Sequence, residues 1–188
     1  MAEEGLLTGF LIRQRNTEVA RRVSGKSVLD IGCERGSLKR FLPKGISYTG
    51  MDLLPREKFR PDFGYFTADI QKGIPEELLS KFDCVAMAAV VEHLTKPEKA
   101  MENCFKALMP GGMLIITTPT KRGDWLHKLL SRIGLVSSDA AEDHQKIFEM
   151  QELKGLIEKK GFNVLETSEF QLGMNQLVVA EKPGKSSK

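Results

Sequence analysis

The sequence predicts a three-layer α/β fold: a mostly parallel sheet of seven strands, helices on both faces, and the last strand antiparallel. Three observations predict it. Short apolar β-type runs alternate with helical segments along all 188 residues, the pattern of parallel strands joined by helical crossovers. The runs at residues 82–88 and 113–118 are apolar almost throughout, as strands covered on both faces are. The last two runs, residues 162–167 and 176–180, are joined by a stretch around Gly173 too short for a helical crossover, so they pair antiparallel.

The elements follow in order. Residues 8–24 carry Phe10, Leu11, Val19 and Val23 among charges and read as an amphipathic helix ending at Ser24-Gly25. A strand at 26–31 breaks into a turn marked by Gly32 and Gly36, and a helical segment reopens through Leu42 before Pro43-Lys44-Gly45 stops it. A strand at 46–51 ends at Asp52, and a Pro- and charge-rich loop runs over 54–61. A short strand at 65–68 ends at Asp69, and Pro75 opens a short helix through Leu79. Pro97 starts a helix through Leu108 with Ala100, Cys104, Ala107 and Leu108 on one face. Pro110-Gly111-Gly112 turns the chain into the strand at 113–118. Residues 120–148 form a long mixed segment with a helix around 124–133, and connections of that length tend to be functional. A helix over 149–160 stops at Gly161. Residues 1–182 read as one domain and 183–188 as a polar tail.

Composition narrows the function. Apolar content of 41% and charged content of 28% are ordinary for a soluble globular chain, and a net charge of +3 directs it to no particular partner. Basic residues gather near the start (Arg13, Arg15, Arg21, Arg22, Lys26) and the end (Lys182, Lys185, Lys188). No aromatics interleave with them, so they read as solvated faces and nucleic acid is not an expected partner. Cys33, Cys84 and Cys104 form no Cys-x-x-Cys pair, which predicts neither a disulfide framework nor a metal centre; Cys84 and Cys104 read as small buried hydrophobes. No charged-then-apolar leader opens the chain and no apolar run reaches the ~18 residues of a spanning helix, so a cytoplasmic protein without membrane contact is expected. No feature bears on oligomeric state.

The stretch that organises the chain is Ser27-Val28-Leu29-Asp30-Ile31-Gly32-Cys33-Glu34-Arg35-Gly36. Strand, glycine turn and helix bring a backbone close to a nucleotide-like ligand. The dinucleotide fingerprint needs Gly-x-Gly-x-x-Gly, but Glu34 and Ser37 stand at its second and third glycines. A P-loop fails for want of Gly-Lys-Ser/Thr. Glu34 would also repel a pyrophosphate, so a ligand with positive charge and no phosphates suits this acidic turn.

Asp30-x-Gly32-x-x-x-Gly36 resembles the first motif of the class I S-adenosylmethionine-dependent methyltransferases, and the resemblance runs along nearly the whole chain. Met51-Asp52 is similar to the acidic end of the family's second strand, Ala68-Asp69-Ile70 to its adenine segment, and Phe82 through Leu94 to its fourth strand and following loop. Pro110-Gly111-Gly112 resembles the turn into the fifth strand, and the final pair the reversed last strand. The resemblance implies a Rossmann-like sandwich and S-adenosyl-L-methionine as cofactor. It implies a cofactor-binding set of Asp30, Gly32, Cys33, Gly36, Asp52, Leu53, Asp69, Ile70 and Ala88.

Asp52 lies 20 residues beyond Gly32 at the end of the next strand, where a carboxylate can accept both ribose hydroxyls. Asp69 either accepts from the adenine amino group or makes a turn. Asp30 either braces the glycine turn or reaches the ligand's amino group. Glu34 departs from the family pattern, so its side chain must point away from the cofactor. For catalysis the candidates are His144, near the acceptor in many relatives, and His93, after the fourth strand. An imidazole can take a proton from an attacking hydroxyl. The bland alternatives are helix capping for His144 and pocket packing for His93. His127 reads as surface or lid, and Trp125, Leu126, Leu129 and Leu130 as either an apolar acceptor wall or core.

Methyl transfer to a small molecule, on O, N or C, is the expected activity, with residues 120–148 and the N-terminal helix closing as a lid. The amino-methyltransferase Pro-Pro-Tyr/Phe motif and the Pro-Cys nucleophile of cytosine methylation are absent. A non-catalytic cofactor-binding module, an RNA or protein acceptor, and, more distantly, a nicotinamide oxidoreductase are the alternatives.

Overall fold

The computed structural model describes residues 7–58, 61–132 and 144–184. One seven-stranded sheet has the order β3-β2-β1-β4-β5-β7-β6. Its strands are β1 (Ser27–Ile31), β2 (Ser47–Asp52), β3 (Gly64–Thr67), β4 (Phe82–Ala88), β5 (Leu108–Pro119), β6 (Asn163–Phe170) and β7 (Asn175–Glu181). Only β7 is antiparallel to its neighbours, lying between β5 and β6. The four α-helices among the described residues are α1 (Thr8–Ala20), α2 (Pro97–Ala107), α3 (Lys121–Arg132) and α4 (Met150–Glu158).

The core follows from apolar patterning. Two buried clusters sandwich the sheet because central strands alternate side chains between covered faces. One holds Leu29, Ile31, Val85, Met87, Leu114 and Ile116 with Met101 and Cys104 of α2 and Leu153 and Ile157 of α4. The other holds Val28, Cys84, Ala86 and Ile115 with Val19 and Ala20 of α1 and Leu38. Cys84 and Cys104 are fully buried, as small hydrophobes are.

Several expectations are corrected. The segment after the glycine turn is a 3₁₀ helix, Ser37–Phe41, not an α-helix. Pro43 forces Leu42 into extended geometry (φ −70°, ψ 146°), so too few residues remain for an α-helical ladder and no helix dipole aims at a ligand. Residues 76–78 are likewise 3₁₀. Helix α1 stops at Ala20, and it is not amphipathic as expected: Asn16 is buried, while Phe10 is 56% exposed. The Pro110-Gly111-Gly112 turn is a bulge within β5, since Phe82 pairs with Leu108 and Cys84 already with Met113. Gly111 and Gly112 carry the bulge by bonding Lys182 through N–H and carbonyl, 2.8 Å each. Trp125 and Leu129 are 66% and 42% exposed, so they are not core. Residues 133–143 of the expected lid, and Asp143 beside His144, lie outside the described residues, as do 59–60 of the loop and 185–188 of the tail.

Candidate active site

Parallel register puts the carboxyl ends of β1, β2 and β4 on one edge: Ile31 pairs with both Met51 and Met87, and Ala88 with Thr117 of β5. The glycine turn leaves β1 there. Gly32 (φ +69°) and Gly36 (φ +75°) both need left-handed backbone. A Cβ at Gly32 would lie 2.3 Å from Val90 Cγ2, and one at Gly36 2.6 Å from the Phe63 ring. The glycines thus admit close neighbours within the protein.

Asp52 ties the turn to β2. Its Oδ2 accepts the Glu34 N–H (2.7 Å) and its Oδ1 the Leu54 N–H (2.9 Å). That bond goes with a left-handed Glu34 (φ 49°), which is exposed. Leu53, next to Asp52, is 67% exposed. Asp69 Oδ1 accepts the Gln71 N–H (2.9 Å), making a turn, and Asn103 pins Ile70 through its carbonyl (2.7 Å). Cys33 is buried, its thiol pushed up by desolvation. Ala88 is half-buried at the end of β4, beside Ala89 in left-handed geometry (φ 57°).

Asp30 is 3% exposed and accepts from the Tyr48 hydroxyl at 2.5 Å. Burial raises its pKa to about 7, opposed by the Tyr48 bond and reinforced by Asp52. Arg15 reaches this place from α1. Composition alone reads it as a solvated cation. Its Nε is instead buried with no hydrogen-bond partner among the described residues. Burial lowers its pKa, against the pull of Glu92, Asp30 and Glu34. The one hint is its neighbour Asn16, a polar residue on the side of α1 that packs against the turn, donating to Ser37 Oγ at 3.0 Å.

His93 and His144 lie with Glu92, in the turn after β4 and the segment that bonds it. Glu92 is 1% exposed and its carboxyl is pushed up by desolvation. It accepts from Thr118 Oγ1 at 2.9 Å. Its carbonyl accepts the N–H groups of Gln145 (2.8 Å) and Lys146 (3.1 Å), which fixes the segment carrying His144. Phe148, 2% exposed, anchors that segment in the core. His144 Nδ1 lies 2.7 Å from Asp124 Oδ1, and its ring centroid 4.9 Å from that of His93. Asp124 is held low despite burial by hydrogen bonds with Lys128 and His144. His127 is not a surface residue: it is half-buried, its pKa lowered by burial and by His144. Sequence spacing brought together neither the three histidines nor Asp124 with His144, which lie on separate elements.

A family profile described as "Methyltransferase domain" matches residues 6–167. The ubiquinone biosynthesis O-methyltransferase of Psychrobacter arcticus is 28% identical over 127 residues, covering 62% of this chain and 49% of the relative. The mitochondrial ubiquinone biosynthesis O-methyltransferase of Rattus norvegicus is 28% identical over 169 residues, covering 79% of this chain and 48% of the relative. The chain thus spans about half the length of the curated relatives it matches. Among solved structures, 1,6-didemethyltoxoflavin-N1-methyltransferase of Burkholderia thailandensis, holding its substrate and S-adenosylhomocysteine, superposes with a TM-score of 0.67 at 15% identity. That match covers 92% of this chain and 78% of the neighbour. An S-adenosylmethionine-dependent methyltransferase of Mesorhizobium loti gives a TM-score of 0.66 at 18% identity, covering 89% of this chain and 96% of the neighbour. Sheet order, glycine turn, acidic strand ends and the matched profile together place this chain in the methyltransferase domain family, as a class I S-adenosylmethionine-dependent member.

Proposed function

We propose that the chain transfers the methyl group of S-adenosylmethionine to a hydroxyl oxygen of a small molecule. The observation that carries this reading is the Asp124–His144 pair, at 2.7 Å, with His144 beside Glu92 and His93. The sulfonium already activates the methyl, so the protein's work is to align an acceptor and take its proton. With Nδ1 held by Asp124, His144 offers Nε2 as the accepting atom. The O-methyltransferase names of the relatives support a hydroxyl acceptor. On the cofactor side, Arg15 suits the carboxylate of the methionine part and Asp30 its ammonium. Gly32, Cys33 and Gly36 form the cradle, Asp52 takes the ribose hydroxyls, and Leu53, Asp69, Ile70 and Ala88 line the adenosine. His93 packs against His144 at the acceptor. Titration with S-adenosylhomocysteine, then turnover on a panel of phenols, amines and thiols, tests the reading; consumption of amines but not phenols would overturn it.

Asp52→Ala weakens cofactor binding by about 1–3 kcal/mol, the worth of charge-assisted bonds to ribose. Calorimetric titration reads this, and unchanged affinity removes Asp52 from the ribose. A second outcome concerns pH. Asp30 attracts an ammonium only when ionised, so cofactor affinity falls as pH drops through about 7 and stays flat in Asp30→Asn. Unliganded stability runs the other way. A carboxyl raised by burial contributes stability present below its unfolded pKa and lost as pH rises through about 7. Thermal unfolding of wild type and Asp30→Asn across that range checks the sign.

A further inference from the structure

His93 and His144 stand beside Glu92, and His127 lies near His144. Glu92, His93 and His144 each offer one ligand atom, and these atoms lie within 4.8 Å of one another. An ion bonded at about 2.0–2.2 Å to nitrogen and oxygen holds its donors roughly 3–4 Å apart, so a small closure seats one.

The surroundings are built for ligation. Asp124 stands behind His144, 2.7 Å from Nδ1, which leaves Nε2 as the ring's donor. A carboxylate behind a ligating imidazole fixes its tautomer and raises its basicity. Thr118 orients the Glu92 carboxylate from the end of β5. Glu92 is buried, and the Nε of the nearby Arg15 has no hydrogen-bond partner among the described residues, so a dication would add a close counter-charge. His127 adds a buried Nδ1 with no partner among the described residues, next to His144. Two imidazoles and one carboxylate are the donor set of a borderline ion such as zinc, not of calcium or magnesium. Cysteine spacing could not reveal such a site, because its ligands come from two segments and none is a thiol.

We propose that Glu92, His93 and His144 bind a divalent transition-metal ion of the zinc class, with the acceptor's hydroxyl oxygen in the fourth position. This rests on the hydroxyl-acceptor reading above and replaces its assignment of His144 as the base. In the loaded protein the ion lowers the hydroxyl's pKa and its proton leaves to solvent. The oxygen then bonds the methyl carbon as the carbon–sulfur bond breaks, and His144 is a ligand instead of the base.

The test titrates the chelator-stripped full chain with cobalt(II) and follows the visible absorption of four-coordinate cobalt, then displaces it with zinc. Wild type develops the band. Glu92→Gln, His93→Gln and His144→Ala lose it, and Asp124→Asn weakens affinity about 10–100-fold. Titration with S-adenosylhomocysteine reports folding: a variant that binds it normally yet loses cobalt supports the site. No band in wild type, or the same band in Asp124→Asn, His93→Gln and His144→Ala, overturns it. Turnover separates the two readings. Chelated wild type that keeps full turnover, while His144→Ala loses it, overturns the ion's role and leaves His144 as the base. A cobalt band lost in the variants, in a protein that consumes no hydroxyl acceptor, keeps the metal site and overturns O-methylation.

Discussion

Replacing His144 with alanine lowers turnover by about 10²–10⁴-fold and leaves cofactor affinity within about twofold. The magnitude is that of losing the group that disposes of the acceptor's proton, as base or as metal ligand. The selectivity follows from position. His144 sits on a segment fixed by the Glu92 carbonyl and anchored by Phe148. It touches His93 and Asp124 and none of Asp30, Asp52 or Gly32 through a hydrogen bond among the described residues. Asp124→Asn lowers turnover as well, because an amide can offer its N–H to Nδ1 and favour the wrong tautomer. Single-turnover measurement with a phenolic acceptor separates the chemical step from binding. Wild-type turnover in His144→Ala would return this residue to capping the α4 segment.

The second large effect is on the cofactor. Arg15→Met weakens cofactor binding by about 2 kcal/mol, roughly thirtyfold in Kd. A buried guanidinium Nε without a hydrogen-bond partner among the described residues is costly, and a carboxylate ligand would satisfy it. Methionine keeps most of the volume, so the fold persists while the charge goes. Arg15→Lys recovers only part of the loss, since an ammonium cannot present the guanidinium's paired donors. Calorimetry with S-adenosylhomocysteine against its decarboxylated analogue gives the sharper reading. The wild type discriminates between the two ligands and the methionine variant does not. Equal losses for both would make Arg15 a structural counter-ion of Glu92 and Asp30.

The fold was legible because its strands are written in local pattern. Residues 82–88 are apolar enough to be nothing but a covered strand, and β4 occupies those residues. The short Gly173 connection sufficed for the antiparallel β6–β7 pair. The helix after the glycine turn was misread because Leu38 and Phe41 have helical spacing, whereas Pro43 limits the segment to 3₁₀ geometry. The places of Asp30 and Asp52 near the ends of β1 and β2, beside the glycine turn, were legible because the strands fix them relative to Gly32. The burial of Arg15 was not: on α1 its neighbours in sequence are charged and polar, and its burial depends on how α1 packs on the rest of the fold. His127 was missed likewise, since burial beside His144 depends on where α3 lies and not on the residues flanking it.

The position of β7 bears on how the chain reaches this state as it leaves the ribosome. In sequence β7 is the last strand, yet in the sheet it lies inside, between β5 and β6. Until Asn175–Glu181 emerges, β5 presents an unpaired edge carrying Leu114, Ile115 and Ile116, all fully buried in the finished protein. A long apolar edge is a template for pairing with another chain. Strands β1 to β5, which carry Asp30, Asp52 and Glu92's loop, are therefore synthesised before the strand that shields them, and the nascent protein passes through an adhesive interval that ends only when β7 slides into its slot.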